Sequence, residues 1–145
     1  RVVELVDSST AERYTQIYGV ALESPKAGED AVAVEDIPTE TDESGEYVPV
    51  TVTGAQRLYS ALQILKALEA NDIVGEAASV DVSRLDDIIL WYGTRYQVNL
   101  GDSENMDYKT ACMYDVILQL SNYQTGKLDC SFTTFQTEVA YTPFE

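Results

Sequence analysis

The sequence predicts an α+β domain in which a mixed or antiparallel β-sheet packs against two α-helices. Two stretches carry apolar residues at the three- and four-residue spacing of amphipathic helices, and several short stretches alternate between apolar and polar residues as strands do. The predicted order is strands, helix, three strands, helix and two strands, with no internal repeat in the sequence. A chain of 145 residues suits one domain, which we expect to span residues 1–145.

The first half of the chain predicts a strand at residues 2–6, an ordered stretch at 14–22 and then a long helix. Thr53 and Gln56 have the spacing of a capping box, so the helix should begin there and run to Ala70. The face of this helix that we expect to be buried carries Leu58, Ala61, Leu62, Leu65 and Leu68.

A β-hairpin is predicted in the middle of the chain, after a strand at residues 79–83. Its arms are residues 87–92 and 95–100, and Gly93 with Thr94 places glycine first in a two-residue turn, as type II′ requires. The first arm is apolar on both faces at residues 88–91 and is therefore predicted to be interior. The second arm has one apolar face, formed by Tyr96, Val98 and Leu100.

The last part of the chain predicts a second helix at residues 105–123, then strands at 127–132 and 138–142. Cys112 on the helix and Cys130 on the following strand both have inward positions, so they could meet. Either they form a disulfide in an oxidising compartment, or they are two small buried apolar side chains. The other residues of the expected inward stripe are Met113, Val116, Ile117 and Leu120.

Composition excludes several classes of function. The chain has 25 acidic and 9 basic residues, a formal charge of −16, and no histidine. Such a surface repels nucleic acid and anionic membranes. Without histidine the common zinc sites and the Ser-His-Asp and Cys-His catalytic arrangements are also excluded, whereas catalysis by two carboxylates remains open. We expect no cofactor and no metal site.

Six carboxylates lie within residues 35–46 and predict a solvated, mobile loop. Calcium binding is an alternative for this loop, although the spacing of an EF-hand is absent. A hydrolase that uses two distant carboxylates is a second alternative.

A series of motifs resembles one known family. They include residues 48–50 before the first helix, and Val98-x-Leu100-Gly101 followed by Lys109 at the start of the second. The run Gly126-Lys127-Leu128-Asp129 opens the next strand. In their order and spacing these motifs resemble the extracytoplasmic β domain of the bacterial cell-division protein FtsQ/DivIB.

The resemblance implies a non-enzymatic scaffold of the divisome that binds FtsB/DivIC-like and FtsL-like proteins during septum formation. It also implies a single-pass protein of the cell membrane with this domain on the extracytoplasmic side. The chain begins Arg1-Val2-Val3 without methionine, so we expect a piece of a longer protein whose membrane anchor and POTRA domain precede it.

The family's partner site corresponds here to the C-terminal strands, where an edge strand can accept a strand from a partner. Core packing is the alternative role for Phe132, and simple strand propensity is the alternative for Tyr141. Alternative functions for the whole domain are a carboxylate-dependent cell-wall hydrolase and a calcium-responsive module. The predicted partner-binding residues are Phe132, Val139, Ala140, Tyr141 and Thr142.

Overall fold

The computed structural model describes residues 14–38, 40–49, 52–120, 124–131 and 139–144. The predicted strand at residues 2–6 and the predicted partner residue Phe132 lie outside these ranges. The α+β prediction is confirmed, because two helices accompany a mixed six-stranded sheet. The helices are α1 (Gly54–Ala70) and α2 (Met106–Gln119), and the strands are β1 (Gln16–Tyr18), β2 (Ala77–Asp81), β3 (Ile88–Tyr92), β4 (Tyr96–Gly101), β5 (Gly126–Asp129) and β6 (Ala140–Pro143).

The six strands lie in the sheet in the same order as in the chain. The pairs β1/β2 and β4/β5 are parallel and the other pairs are antiparallel. Each parallel pair is joined through a helix, because parallel neighbours need a crossover connection. The chain is therefore two βαββ units, β1-α1-β2-β3 and β4-α2-β5-β6, joined side by side between β3 and β4. This repeat of topology has no counterpart in the sequence.

Helix α1 begins at the predicted capping box. The Gln56 N–H donates to the Thr53 hydroxyl at 3.2 Å, and the Thr53 N–H donates to the Gln56 side chain at 2.8 Å. These bonds satisfy backbone groups that the first turn leaves without partners. Neither helix in the described part of the chain has the length and apolar character needed to cross a membrane.

The buried face of α1 differs from the predicted one. Ala61 and Leu68 are fully buried as expected, but Leu62 is 43% exposed, and Leu58 and Leu65 are only half-buried. Two apolar stripes on this helix have helical spacing, and spacing alone cannot choose between them. The side chains that pack beside Ala61 and Leu68 in the core are Ile64 and Ala67.

One face of the sheet is buried beneath the helices and the other is half-exposed. A single apolar row crosses the buried face, with one paired residue from each strand. Its four central members are 0–1% exposed and its two ends are half-buried. In strand order the row is Ile17, Val80, Leu90, Val98, Leu128 and Tyr141.

We call the opposite side of strands β3 to β6 the open face. Ile89 and Trp91 lie on it and are half-buried, so the predicted interior position of residues 88–91 holds for Ile88 and Leu90 but is wrong for these two. The reason is that both helices pack against the other side of the sheet. Besides Ile89 and Trp91, the open face consists of Gln97, Asn99, Lys127, Asp129, Ala140 and Thr142.

The hairpin between β3 and β4 is confirmed, but its loop is longer than predicted. Gly93 has the expected positive φ of 59°, and the Arg95 N–H donates to the Tyr92 carbonyl at 3.3 Å. However, Tyr92 pairs with Tyr96, which leaves three residues between the strands. Arg95 belongs to the loop and also bonds to β5, because its carbonyl accepts the Gly126 N–H at 2.9 Å.

The predicted helix at residues 105–123 begins one residue later and ends at Gln119, and residues 121–123 lie outside the described ranges. Met113 and Ile117 are buried as expected. Cys112, Val116 and Leu120 are only half-buried. The remaining buried residues of α2 lie in its first turns. They are the apolar Met106 and the polar Lys109 and Thr110.

The junction of β4 and α2 contains a buried cation. Lys109 is 2% exposed, and its ammonium donates to the Asp102 carboxylate at 2.8 Å and to the Asp102 carbonyl at 3.0 Å. Gly101 precedes this pair with a φ of +65°, and a Cβ there would lie 2.8 Å from the Cβ of Ser131. The Val98-x-Leu100-Gly101 and Lys109 motif thus combines two core residues, a close backbone approach and a buried ammonium that is paired with an exposed carboxylate.

The two members of this ion pair should respond unequally to mutation. Asp102→Ala leaves the buried Lys109 ammonium without its carboxylate, so we expect a loss of about 2 kcal/mol in the free energy of unfolding. Lys109→Met replaces the buried charge with an apolar chain of similar length and leaves the 57% exposed Asp102 hydrated, so it should cost less than about 1 kcal/mol. Urea denaturation at neutral pH measures both values. Equal losses would contradict the explanation.

The same pair predicts a pH dependence. The hydrogen bond from Lys109 lowers the pKa of Asp102 below its ordinary value. A lowered folded-state pKa means that the stabilisation is complete above the ordinary aspartate pKa and is lost as the pH falls through the lowered value. The stability difference between the wild type and Asp102→Ala should therefore shrink in acid, which urea denaturation at a series of pH values tests.

Candidate protein-interaction site

Strand β6 is at one edge of the sheet. It pairs with β5 on one side, and no strand in the described part of the chain pairs with its other side. Four of the predicted partner-binding residues come together here. Ala140 and Thr142 are exposed, whereas Val139 and Tyr141 are half-buried and pack against the core.

The register shows which backbone groups of β6 point away from the sheet. The Phe144 N–H donates to the Thr125 carbonyl at 3.4 Å, and hydrogen-bonded and non-bonded pairs alternate in an antiparallel ladder. Thr142 and Ala140 therefore bond to β5, while the N–H and C=O of Tyr141 point outward. Tyr141 offers both a donor and an acceptor to a further strand.

Strand β6 extends one residue beyond the predicted end at residue 142. Pro143 pairs with Gly126 inside β6. Its nitrogen faces outward at a non-bonded position, where proline loses no hydrogen bond to β5. A Cβ on Gly126 would lie 2.4 Å from the Thr142 carbonyl, so only glycine permits this close approach of the two strands.

The side chain of Tyr141 has a structural role of its own. It continues the buried row beyond Leu128, and its hydroxyl donates to the Thr125 carbonyl at 2.9 Å. Replacing this residue would disturb the attachment of β6 as well as any partner contact. A test of the edge must therefore alter the backbone of Tyr141 and keep its side chain.

The two cysteines are both free thiols in the structure. Cys130 is buried, and burial raises its pKa to about 12, with smaller contributions from Asp129 and Cys112. Cys112 is half-buried on α2 and forms a hydrogen bond with Tyr108 that raises the tyrosine pKa. Because its pKa is so high, the Cys130 thiol is unreactive at neutral pH.

The acidic segment at residues 35–46 is tied to α1. Asp36 accepts hydrogen bonds from the Gly54 N–H and from Arg57, whose guanidinium lies 2.8 Å from the carboxylate. Asp42 closes a turn through the N–H groups of Ser44 and Glu46. In the described ranges no three acidic or cysteine side chains form a group fit for a metal ion.

Four carboxyls in the described part of the chain have clearly shifted pKa values, and all four are lowered. A hydrogen bond causes each shift, from Arg57, Ser44, Arg84 and Lys109 respectively. A glycosidase general acid needs the opposite, a raised pKa. These carboxyls are therefore unsuited to that role: Asp36, Asp42, Asp86 and Asp102.

Fold and site together define an α+β domain of two βαββ units, and among the described residues no further strand lies beside its C-terminal edge strand β6. The chain matches no protein-family model, no curated protein and no solved structure. The resemblance to FtsQ/DivIB is therefore carried by the sequence motifs alone.

The sequence pattern alone does not bring together one group of polar residues. Gln97, Asn99 and Lys127 lie side by side on the open face. The alternation of β4 indicated a polar face at Gln97 and Asn99. Only the pairing of β4 with β5 brings Lys127 beside them.

The two cysteine thiols provide a test of the burial of Cys130. Iodoacetamide at pH 8 should modify Cys112 in the native protein and leave Cys130 unmodified, since a pKa of about 12 leaves almost no thiolate there. Peptide mass spectrometry measures both sites. In Cys112→Ser, labelling should begin only when denaturant unfolds the chain. Rapid native labelling of Cys130 would contradict its burial.

Proposed function

We propose that this domain is a non-enzymatic interaction module that binds an extended segment of a partner protein along the outer edge of β6. The observation that carries the proposal is the outward N–H and C=O of Tyr141, on an edge that no described strand covers. Backbone hydrogen bonds give such strand addition its affinity, and alternate side chains give it specificity.

The two sides of β6 offer different environments to an added strand. On the helix side, partner side chains would extend the apolar row beyond the half-buried Tyr141. On the other side they would lie beside the small, exposed Ala140 and Thr142. An added strand with apolar residues on one side and polar residues on the other matches this edge. Because Pro143 has no N–H, the partner would gain no hydrogen bond from that nitrogen.

The resemblance to the FtsQ/DivIB β domain suggests which partners the domain binds. We infer that the domain serves the divisome as a scaffold for FtsB/DivIC-like and FtsL-like proteins during septum formation, on the extracytoplasmic side of the cell membrane and held there by an upstream anchor. The formal charge of −16 favours a partner whose flanking residues are basic, because opposite charge accelerates association.

The edge can be tested by removing one hydrogen-bond donor. Cys130 allows a synthetic peptide of residues 130–145 to be ligated to the rest of the chain without changing the sequence. A ligated and refolded protein with N-methyl-Tyr141 loses only the outward donor, so its melting temperature should be unchanged. Its affinity for a DivIC-type extracytoplasmic segment, measured by calorimetry, should fall at least about fivefold.

Two further ligated proteins serve as controls for this experiment. The unmodified ligation product should bind like the recombinant chain. Methylation of Thr142, whose N–H points toward β5, should lower the melting temperature, because it breaks an internal bond of the sheet. Unchanged partner affinity in the N-methyl-Tyr141 protein would overturn strand addition at this edge.

A further inference from the structure

The open face contains a shallow cavity whose lining extends from Ile89 of β3 to Ala140 and Thr142 of β6. Its volume is about 340 Å³, near the lower end of the roughly 300–1,000 Å³ typical of small-molecule sites. Ile89 and Ala140 contribute apolar side chains, whereas Leu128, whose side chain lies in the buried row, can line the cavity only with its backbone. Polar side chains from β4, β5 and β6 surround them. The polar members of the lining are Gln97, Asn99, Lys127, Asp129 and Thr142.

Three of these side chains have hydrogen-bonding groups to spare. Neither the Gln97 amide nor the Lys127 ammonium bonds to any described residue. The Asn99 carbonyl oxygen accepts the Gly101 N–H at 2.8 Å, and its amino group has no acceptor among the described residues. Two planar amides and an ammonium in one cavity can serve a ligand that carries several neighbouring hydroxyl or carbonyl groups.

An aromatic pair lies on the same side of the sheet. Trp91 is cross-strand to Gln97, and its ring stacks on Phe144 with 6.2 Å between centroids and 27° between planes. Phe144 is 38% exposed and Trp91 is half-buried, so the pair is accessible beside the cavity. The faces of such rings pack well against the C–H groups of a pyranose.

We propose that the open face binds a neutral oligosaccharide, with Gln97, Asn99 and Lys127 bonding to its hydroxyl and acetamido groups and the Trp91–Phe144 pair beside a sugar ring. The charges favour a neutral ligand. Of the described residues that line the cavity, one is cationic and one is acidic, Lys127 and Asp129, and the formal charge of −16 repels anions. An apolar ligand would leave the amides and the ammonium without partners.

The two proposed sites meet at β6, because Ala140 and Thr142 line the cavity, but they use different groups. Strand addition uses the outward backbone of Tyr141, whereas the sugar would bond to side chains of the open face, with Gln97 and Asn99 on β4 and Lys127 on β5. Substitution of Gln97 or Lys127 should therefore leave partner affinity at the β6 edge unchanged, and N-methylation of Tyr141 should leave sugar binding unchanged. Failure of one proposal can be recognised independently of the other.

Trp91 is the only tryptophan of the chain and reports directly on this face. The probes are four neutral tetrasaccharides, built from β-1,4-linked N-acetylglucosamine, β-1,4-linked glucose, α-1,4-linked glucose and β-1,4-linked mannose. We expect at least one to change Trp91 fluorescence in a saturable way. Gln97→Ala and Lys127→Ala should each weaken that binding about fivefold, the usual effect of losing a hydrogen bond.

Matched controls are Gln119→Ala and Lys66→Ala, which remove the same side chains from exposed positions on the helices and should not change affinity. Circular dichroism verifies that each variant is folded. The proposal is overturned if no tetrasaccharide gives saturable binding up to about 10 mM. It is also overturned if both cavity variants bind like the wild type, or if a polygalacturonate tetramer binds more tightly than every neutral probe.

Discussion

Burial of only one face of the sheet is the constraint on which the rest of this structure depends. Both helices pack against the same side, so each strand must present an apolar side chain there and can present a polar one opposite. The row from Ile17 to Tyr141 meets the first requirement in every strand. The second leaves the open face, with its amides, charges and aromatic pair, accessible to solvent. The two proposed sites, one on an edge and one on a face, both follow from this asymmetry.

The two βαββ units are alike in topology and are held differently. In the first, Arg57 bonds to the Gly19 and Val52 carbonyls and pairs with Asp36, which ties the exit of β1 to the start of α1. In the second, the buried Lys109 joins α2 to the end of β4 through Asp102. These units place a short strand at each edge of the sheet, and β6 is the edge whose outward backbone groups are combined with a half-buried aromatic residue.

The acidity of the chain is consistent with a surface role. Several of its carboxylates already stabilise the fold. Asp36 and Asp102 form ion pairs with basic side chains, and Asp42 and Asp129 accept hydrogen bonds from nearby serines. Hydrogen bonds and ion pairs of this kind stabilise the charged forms and lower carboxyl pKa values. The remaining negative charge favours basic or neutral ligands, which agrees with both proposals.

The sequence by itself determined the α+β class, the capping box of α1, the hairpin with Gly93 at positive φ, and the alternation of Tyr96, Val98 and Leu100, because each depends on neighbouring residues. It could not choose between two apolar stripes on α1, nor show that Ile89 and Trp91 face outward, because those outcomes depend on which side the helices cover. Only the tertiary structure decided the pairing of β4 with β5, which brings Lys127 beside Gln97 and Asn99, and the register that turns the backbone of Tyr141 outward. Contacts between distant strands are set by the packing of the whole sheet, and no local pattern encodes them.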